Sequence, residues 1–203
     1  MIQLIEAADR PAFESQLAQM YRERKRVFVD RLGWEVPVVA GEFEIDQFDT
    51  DRAVYVLALD SGGAQLGSAR LLPSTGPTLL SEVFPHLCER GVPTGDDIWE
   101  ITRMCTAPGI ADAKLVRQKL MVGMVEFALL NGIRRFTLVS HIPYLSALLA
   151  IGWDCEPLGL PQEHAGQMVG ALVVNVTPDT LSLLRMRANL TGPVLRWEVR
   201  DAA

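Results

Sequence analysis

The sequence has little of the chemistry that marks disulfide-rich and metal-binding proteins. Its three cysteines, Cys88, Cys105 and Cys155, are widely spaced without a C-x-x-C pair, and its three histidines are equally scattered. This spacing disfavours a disulfide framework, and it disfavours a zinc site, which needs closely spaced ligand pairs. We therefore expect no metal and no cofactor.

Long apolar runs and basic charge are also scarce. No stretch reaches about 18 uncharged apolar residues, so we expect no membrane span. The first ten residues lack the basic start and apolar run of a signal peptide, and the cytoplasm is the expected location. The formal net charge is −6. We expect no nucleic-acid partner, because binding phosphates requires a basic surface.

The pattern that is present indicates one α/β domain over residues 1–203. Hydrophobic periodicity predicts helices over residues 11–32, 112–131, 143–150 and 179–189. It predicts strands over residues 2–5, 54–59, 65–72, 98–106, 136–140 and 169–176, the second and third forming a hairpin. Strands then alternate with helices, which predicts a mixed-sheet α/β/α sandwich in the element order of GNAT acyltransferases.

The first predicted helix and the irregular segment after it hold a group of aromatic and charged residues. Arg24 and Phe28 are four residues apart and share a helix face, and Trp34 follows one turn beyond the helix. Asp46 and Asp49 come next. Together they suit a ligand with a positive charge and a flat ring. The alternative is that Phe28 and Trp34 are core, while Arg24 pairs with an aspartate in a solvated loop.

The predicted strand over residues 98–106 holds a second group. In a regular strand Glu100 and Thr102 face one way and Arg103 the other. A bulge would bring Glu100 and Arg103 toward the same side and splay the sheet. Arg70, on the hairpin strand, is the natural further partner. The alternative is an ordinary cross-strand ion pair.

The residues in both groups resemble those of the acyl-homoserine-lactone synthases, the bacterial autoinducer synthase family. The resemblance covers the first two-thirds of the chain, with segments in the family's order and near its spacing. The matching segments are Arg24, Phe28 and Trp34; EIDQFD (44–49); YVLA (55–58); GSARLLP (67–73); SEVF (81–84); and WEITR (99–103). Beyond about residue 107 the match is one of pattern only.

The resemblance implies a GNAT-like fold with a splayed central strand, and it implies two substrates. These are S-adenosylmethionine and an acyl thioester, carried by acyl carrier protein or by CoA. Acylation of the methionine amine and closure of the lactone then release methylthioadenosine and a quorum-sensing signal.

The resemblance also suggests a role for each matching side chain. Glu100 is the candidate base for the amine, with its pKa set by Arg103 and Arg70. The S-adenosylmethionine site takes its predicted residues from the first group: Asp46 and Asp49 for the cationic end, Phe28 and Trp34 for the adenosine. Arg24 and Arg103 are candidates to orient the carboxylate that closes the ring, although Arg24 is equally placed to brace the acidic loop.

The acyl side is less defined. A stripe of apolar residues is predicted to line or back an acyl tunnel, although core packing is the simpler interpretation of such a stripe. These residues are Met121, Met124, Val125, Leu138, Ser140, Ile142, Leu148 and Trp153.

The sequence does not decide between the two acyl donors. The helix over residues 144–150 has none of the Lys and Arg residues with which many relatives meet an acidic carrier protein, and this favours acyl-CoA. The segment 107–114 lacks the glycine-rich pyrophosphate loop of CoA-using GNAT enzymes, and this favours the carrier.

Two other functions fit the same fold. One is a GNAT N-acyltransferase acting on another amine, although the missing pyrophosphate loop and the 24–49 segment argue against it. The other is a non-catalytic sensor that binds S-adenosylmethionine or an acyl group. Retention of Glu100 and Arg103 argues against that one.

Overall fold

One mixed sheet of eight strands runs through the structure, a computed structural model that describes residues 1–196. The strands are β1 (Ile2–Ile5), β2 (Val38–Val39), β3 (Phe43–Glu44), β4 (Val54–Leu59), β5 (Gln65–Pro73), β6 (Ile98–Thr106), β7 (Arg135–His141), β8 (Cys155–Pro157), β9 (Gln162–His164) and β10 (Gln167–Asn175). The sheet order is β1-β4-β5-β6-β7-β10-β8, with β9 also on β10, while β2 and β3 form a separate ribbon. Every pairing is antiparallel except β6 with β7.

Helices cover both faces of the sheet. They are α1 (Glu14–Arg24), α2 (Leu79–Glu82), α3 (Ala113–Leu130), α4 (Ile142–Ile151) and α5 (Pro178–Ala188). Helices α1 and α2 pack on one side, which we call the α1 face, and α3, α4 and α5 pack on the other, the α3 face. The predicted α/β/α sandwich is confirmed. The assignment of all 203 residues to one domain stays a prediction, because residues 197–203 lie outside the described part.

The predicted helix over residues 11–32 was wrong in its detail. A 3₁₀ helix over Ala7–Phe13 contains Pro11, α1 follows, and a π-helix over Lys25–Arg31 completes the segment. Apolar residues spaced three and four apart do not distinguish these helix types. The change of pitch sets where Phe28 and Trp34 point, and π-helical turns are often found at functional sites.

The α3 face is an aliphatic core. Alternate residues of the central strands point to it, among them Val56 and Leu71, and meet the buried side of α3. Gly123 on α3 lies against Ile2, and a Cβ at that glycine would come within 2.8 Å of the Ile2 side chain. This close approach holds α3 tightly on the sheet.

A bulge interrupts β6, one of the two possibilities that the sequence left open. Ser68 pairs with Cys105 and Arg70 with Thr102, so two residues of β6 oppose one residue of β5. Arg103 lies within the bulge at φ +52°, a left-handed conformation that costs a non-glycine residue about 1–2 kcal/mol. The bulge turns the Arg103 side chain to the side of the sheet that carries Arg70.

The sheet opens beside the bulge. Strands β6 and β7 pair only at three positions, the last being Glu100 with Thr137, although β6 continues to Thr106 and β7 to His141. A gap therefore opens between the two central strands, and the predicted splay is confirmed. Among residues 1–196, no helix is both long enough and apolar enough to cross a bilayer.

Candidate active site

Six charged side chains lie together on the α1 face, and we call them the charge cluster. They are Arg24, Glu44, Asp46, Asp49, Arg70 and Arg103. Each side chain is at most 5% exposed. Three guanidinium groups balance three carboxylates, so the formal charge of the cluster is zero. Burial at this depth requires such pairing, because an isolated buried charge is very costly.

Arg24 joins the cluster to α1. Its Nε donates to Glu44 at 2.5 Å, and its two terminal nitrogens donate to Asp49 at 2.8 and 2.9 Å. The paired contact to Asp49 is the forked geometry in which arginine and a carboxylate interact most strongly. Arg24 is 1% exposed, so it braces the acidic loop.

Arg70 and Arg103 join the cluster to the sheet. Arg70 donates to both oxygens of Asp46, at 2.6 and 3.0 Å, and its Nε donates to the Thr102 hydroxyl. Arg103 donates to Glu44 at 3.0 and 3.1 Å and to Asp46 at 2.8 Å. The bulge in β6 thus lets Arg103 bind Asp46, which Arg70 on the neighbouring strand also binds.

The cluster shifts the pKa values of three of its members, Asp49, Arg24 and Arg70. Burial alone would raise the pKa of Asp49, but Arg24 and Arg70 outweigh it and hold that pKa far below its ordinary value. Burial would lower the pKa of Arg24 and of Arg70, and the carboxylates raise both instead. Arg24, Asp49 and Arg70 therefore remain charged at any physiological pH.

Two tyrosines extend the cluster away from the sheet gap. The Tyr55 hydroxyl donates to Asp49 at 3.0 Å and lies 2.8 Å from the Tyr21 hydroxyl. Tyr55 is fully buried, and burial together with Asp49 raises its pKa far above the ordinary value. Tyr55 therefore remains a neutral hydrogen-bond donor that fixes the Asp49 carboxylate.

Aromatic rings lie beside Arg103 at the gap between β6 and β7. Phe28 and Trp34 are stacked with centroids 4.8 Å apart, and the Arg103 guanidinium carbon lies 5.5 and 5.8 Å from the two rings. On the other side, the Trp34 ring is 6.1 Å from the ring of His141. Flat apolar surface and charge thus adjoin, a combination that suits a nucleotide carrying a positive charge.

Glu100 stands apart from the charge cluster. It is fully buried at the last paired position of β6, where one oxygen accepts from the Leu80 backbone N–H at 3.0 Å. The other oxygen has no partner within the described residues. Burial raises the pKa of Glu100 to about 7, opposed by the Thr78 hydroxyl and nearby backbone N–H groups. Burial, more than the two arginines expected from the sequence, therefore sets this pKa.

The residues predicted to line an acyl tunnel lie on the α3 face. Six of them belong to its buried aliphatic core, and these are Met121, Met124, Val125, Leu138, Leu148 and Trp153. Ile142 packs against that core, and Ser140 is half-buried near the end of β7. They lie on the side of the sheet opposite the charge cluster.

Some residues of the site were not singled out by sequence reasoning. Glu44 bridges Arg24 and Arg103. Tyr55 supports Asp49, and His141 contacts Trp34. Glu44 was recoverable, since it stands two residues before Asp46 in the same acidic motif. His141 carries no such signal in the sequence.

Comparison with known proteins identifies the family. A family model described as autoinducer synthase matches residues 10–184. An isovaleryl-homoserine lactone synthase of Bradyrhizobium diazoefficiens is 35% identical over 195 residues, covering 96% of this chain and 88% of the relative.

Solved structures agree with the sequence relatives. The CoA-dependent acyl-homoserine lactone synthase BjaI, solved with SAM and isopentyl-CoA, has a TM-score of 0.89 at 32% identity, covering 97% of this chain and 92% of BjaI. A second CoA-dependent synthase, MesI, has a TM-score of 0.88 at 32% identity, and the match covers both chains completely. An N-acetyltransferase from Lactobacillus plantarum, at 18% identity and a TM-score of 0.61, shares the fold. The predicted GNAT-like fold and acyltransferase activity are confirmed. The chain belongs to the autoinducer synthase family and is an acyl-homoserine-lactone synthase.

Proposed function

We propose that this enzyme makes an N-acyl-L-homoserine lactone from S-adenosylmethionine and an acyl-CoA. The observation that carries the proposal is Glu100, a buried carboxyl with one free oxygen at the point where β6 and β7 separate. The charge cluster and its aromatic rings lie on the same face of the sheet. The products are the lactone, methylthioadenosine, CoA and a proton.

S-adenosylmethionine binds on the α1 face in this proposal. Phe28 and Trp34 pack on the adenosine, and Asp46 and Asp49 face its cationic end. Each aspartate already pairs with arginine, so the ligand shares these carboxylates with Arg24 and Arg70. Such sharing favours a cation that arrives with its own carboxylate, which can compete with Glu44 and Asp46 for Arg103.

Glu100 acts as the base for acylation. The methionine amine must lose a proton before it attacks the thioester carbonyl. A carboxyl whose pKa is about 7 accepts a proton more readily than an ordinary glutamate does. The amine nitrogen then bonds to the acyl carbon, the carbon–sulfur bond breaks, and the thiol leaves with a proton.

Ring closure follows from positioning. Once the amine is acylated, an oxygen of the methionine carboxylate attacks Cγ of the same methionine moiety. The bond from Cγ to the sulfonium sulfur breaks, and methylthioadenosine leaves with the bonding electrons. Because both groups belong to one molecule, holding them in line supplies most of the rate gain. Arg103 is placed for this role by the bulge in β6.

The acyl chain lies on the α3 face, beside the residues predicted to line its tunnel. Met121 and Met124 are flexible enough to move aside for a short chain. Trp153 is held more firmly, because its indole N–H donates to the Asn175 carbonyl at 3.1 Å. We place this reaction in the cytoplasm, with three free cysteines consistent with a reducing compartment, and without a cofactor or a metal.

Two features favour acyl-CoA over the carrier protein as donor. Helix α4 carries no charged residue, and its exposed side chains include Tyr144 and Leu149. Two basic residues elsewhere are already paired, Lys25 with Asp30 and Arg26 with Glu23. An acidic carrier thus finds no cation on α4 itself, and both CoA-dependent synthases named above match nearly the whole chain.

The test is a product assay. Purified enzyme is incubated with S-adenosylmethionine and matched panels of acyl-CoA and acyl-carrier thioesters, and the products are identified by mass. We expect methylthioadenosine and an acyl-homoserine lactone, formed at least tenfold more efficiently from an acyl-CoA. Efficient turnover only with carrier thioesters would refute the donor assignment, and an acylated amine without methylthioadenosine would refute the reaction.

The variant that tests Glu100 as the base is Glu100→Gln. It keeps the size and hydrogen-bonding capacity of the side chain but removes the base, so kcat should fall by about 10²–10⁴. A variant of unchanged activity would remove Glu100 from this role.

A further inference from the structure

His141 is a partly buried polar residue without an assigned task. It ends β7 and occupies the N-cap position of α4, where a polar side chain ordinarily accepts from the first backbone N–H groups of the helix. His141 makes no such capping bond. Its Nδ1 is buried and has no hydrogen-bond partner among residues 1–196. Helix capping therefore does not explain this histidine.

The position of His141 places it at the substrate site. Val139, two residues earlier, packs with Leu80 on the α1 face, and alternate residues of a strand share a face. His141 thus lies on the same side of the sheet as Glu100. Its ring meets the edge of Trp34 at 6.1 Å.

His141 and Arg103 stand on opposite sides of the gap in the sheet. Arg103 belongs to β6 and His141 to β7, and the stacked rings of Phe28 and Trp34 lie between them. The ladder between the two strands ends at Glu100 and Thr137, four residues before His141. A ligand that enters between the separated strands from this end passes His141.

We propose that His141 binds the acyl donor, through a hydrogen bond between Nδ1 and a polar atom of the donor's thioester arm. The inference rests on the proposed function and adds a residue to it. The arm carries amide groups and is common to CoA and to carrier proteins. An amide can donate to or accept from an imidazole nitrogen, and a buried polar atom gains most from a partner where water is excluded.

Three substitutions at His141 distinguish the contribution of Nδ1 to donor binding from that of Nε2. His141→Asn places a polar amide near the position of Nδ1, His141→Gln places one near Nε2, and His141→Phe keeps a ring without polar atoms. We expect the asparagine variant to keep the donor KM within about threefold. The other two should raise it about tenfold, as the loss of one hydrogen bond does, with the KM for S-adenosylmethionine unchanged. His164→Asn, on exposed β9, is the control and should change neither constant.

The donors are the best acyl-CoA of the product panel and the same acyl group on carrier protein. A similar rise in KM for both donors shows that His141 binds the arm they share, whereas an unchanged KM for both donors refutes the proposal. Three further results would refute it. The first is an unchanged donor KM in His141→Phe, and the second is a donor KM in His141→Asn as high as that in His141→Phe. The third is a change in the KM for S-adenosylmethionine in place of the donor KM.

Binding of the acyl-CoA without S-adenosylmethionine, measured by calorimetry, gives a second readout that does not need turnover. The same order of affinities is expected: wild type and Asn above Gln and Phe. If the wild type forms no lactone, the proposed function fails, while this binding series still decides the role of His141.

Discussion

The two faces of the central sheet are built from the same strands but stabilised in different ways. On β5, Arg70 points to the α1 face and joins the charge cluster, while its neighbours Ala69 and Leu71 point to the aliphatic core under α3. On β6, Glu100 faces α2 and Ile101 faces α3. Strand alternation thus places the charge cluster one sheet thickness from the aliphatic core under α3.

The difference between the faces separates two tasks. The α1 face depends on specific partners, because each buried charge needs its counter-charge at a fixed distance. The stability of the α3 face depends on the volume and shape of its side chains, and different apolar residues of similar size fill the same space nearly equally well. We therefore expect the ionic substrate to be recognised strictly and the acyl chain to vary more readily among relatives.

The largest effect on stability is expected at Glu44. Glu44→Gln leaves three buried arginines with two carboxylates, and an uncompensated buried charge costs about 3–5 kcal/mol of unfolding free energy. Urea denaturation monitored by circular dichroism measures the change. Glu42→Gln is the matched control, since Glu42 pairs with Arg22 at the surface and should change stability by less than about 1 kcal/mol. Equal losses in the two variants would contradict the importance of burial.

Met124 tests the other face. It is 1% exposed in the core under α3, and Met124→Ala should cost about 2–5 kcal/mol, according to how far the cavity collapses. The loss should not depend on salt, in contrast to losses at surface charges. Met186→Ala, at a methionine that is 70% exposed, should stay within about 0.5 kcal/mol. A salt-sensitive loss at Met124 would break the distinction between the faces.

Glu100 should make stability depend on pH. Its pKa is raised from 4.5 to about 7 in the folded chain, so folding favours the protonated form. The stabilisation is fully present below pH 4.5 and is lost by about pH 7, a change of at most about 3 kcal/mol at 1.36 kcal/mol per unit. Unfolding free energies of wild type and Glu100→Gln, measured from pH 4 to 8.5, should diverge in favour of the variant. A constant difference would contradict the raised pKa.

The smallest effect is expected at Tyr55. Tyr55→Phe removes the hydroxyl that donates to Asp49 but keeps the buried ring, so it should cost about 1 kcal/mol. The arginine partners of Asp49 remain in place. Tyr144→Phe removes a hydroxyl whose contact is the weak acceptor Sδ of Met104, and it should be nearly neutral by thermal denaturation. A Tyr55 loss as large as that of Glu44→Gln would show that hydrogen bonds, more than charge balance, hold the cluster.

Local patterns predicted most of the fold. The hairpin of β4 and β5 and the long helix α3 follow from periodicity and from the turn and capping residues around them. The π-helix over Lys25–Arg31 and the short ribbon of β2 and β3 were not predicted. The ribbon packs against α1 and the π-helix, and neither element leaves a distinct period in the sequence.

The site was partly predictable for a similar reason. Arg24, Asp46, Asp49, Arg70 and Arg103 were recognisable as charged residues in apolar surroundings. Their pairing was not, since three arginines and three carboxylates can be matched in many ways. Only the tertiary structure shows that Glu44 bridges two arginines and that Glu100 stands outside the cluster.

By itself, the sequence determined most of the regular helices and strands, the family and the identity of the charged residues, because these depend on local periodicity and on residue chemistry. The tertiary structure decided which charges neutralise one another, how far burial raises the pKa of Glu100, and that His141 reaches the edge of Trp34. These properties depend on distances between residues far apart in the chain. Such distances arise only when the bulge at Arg103 and the gap beside it have formed.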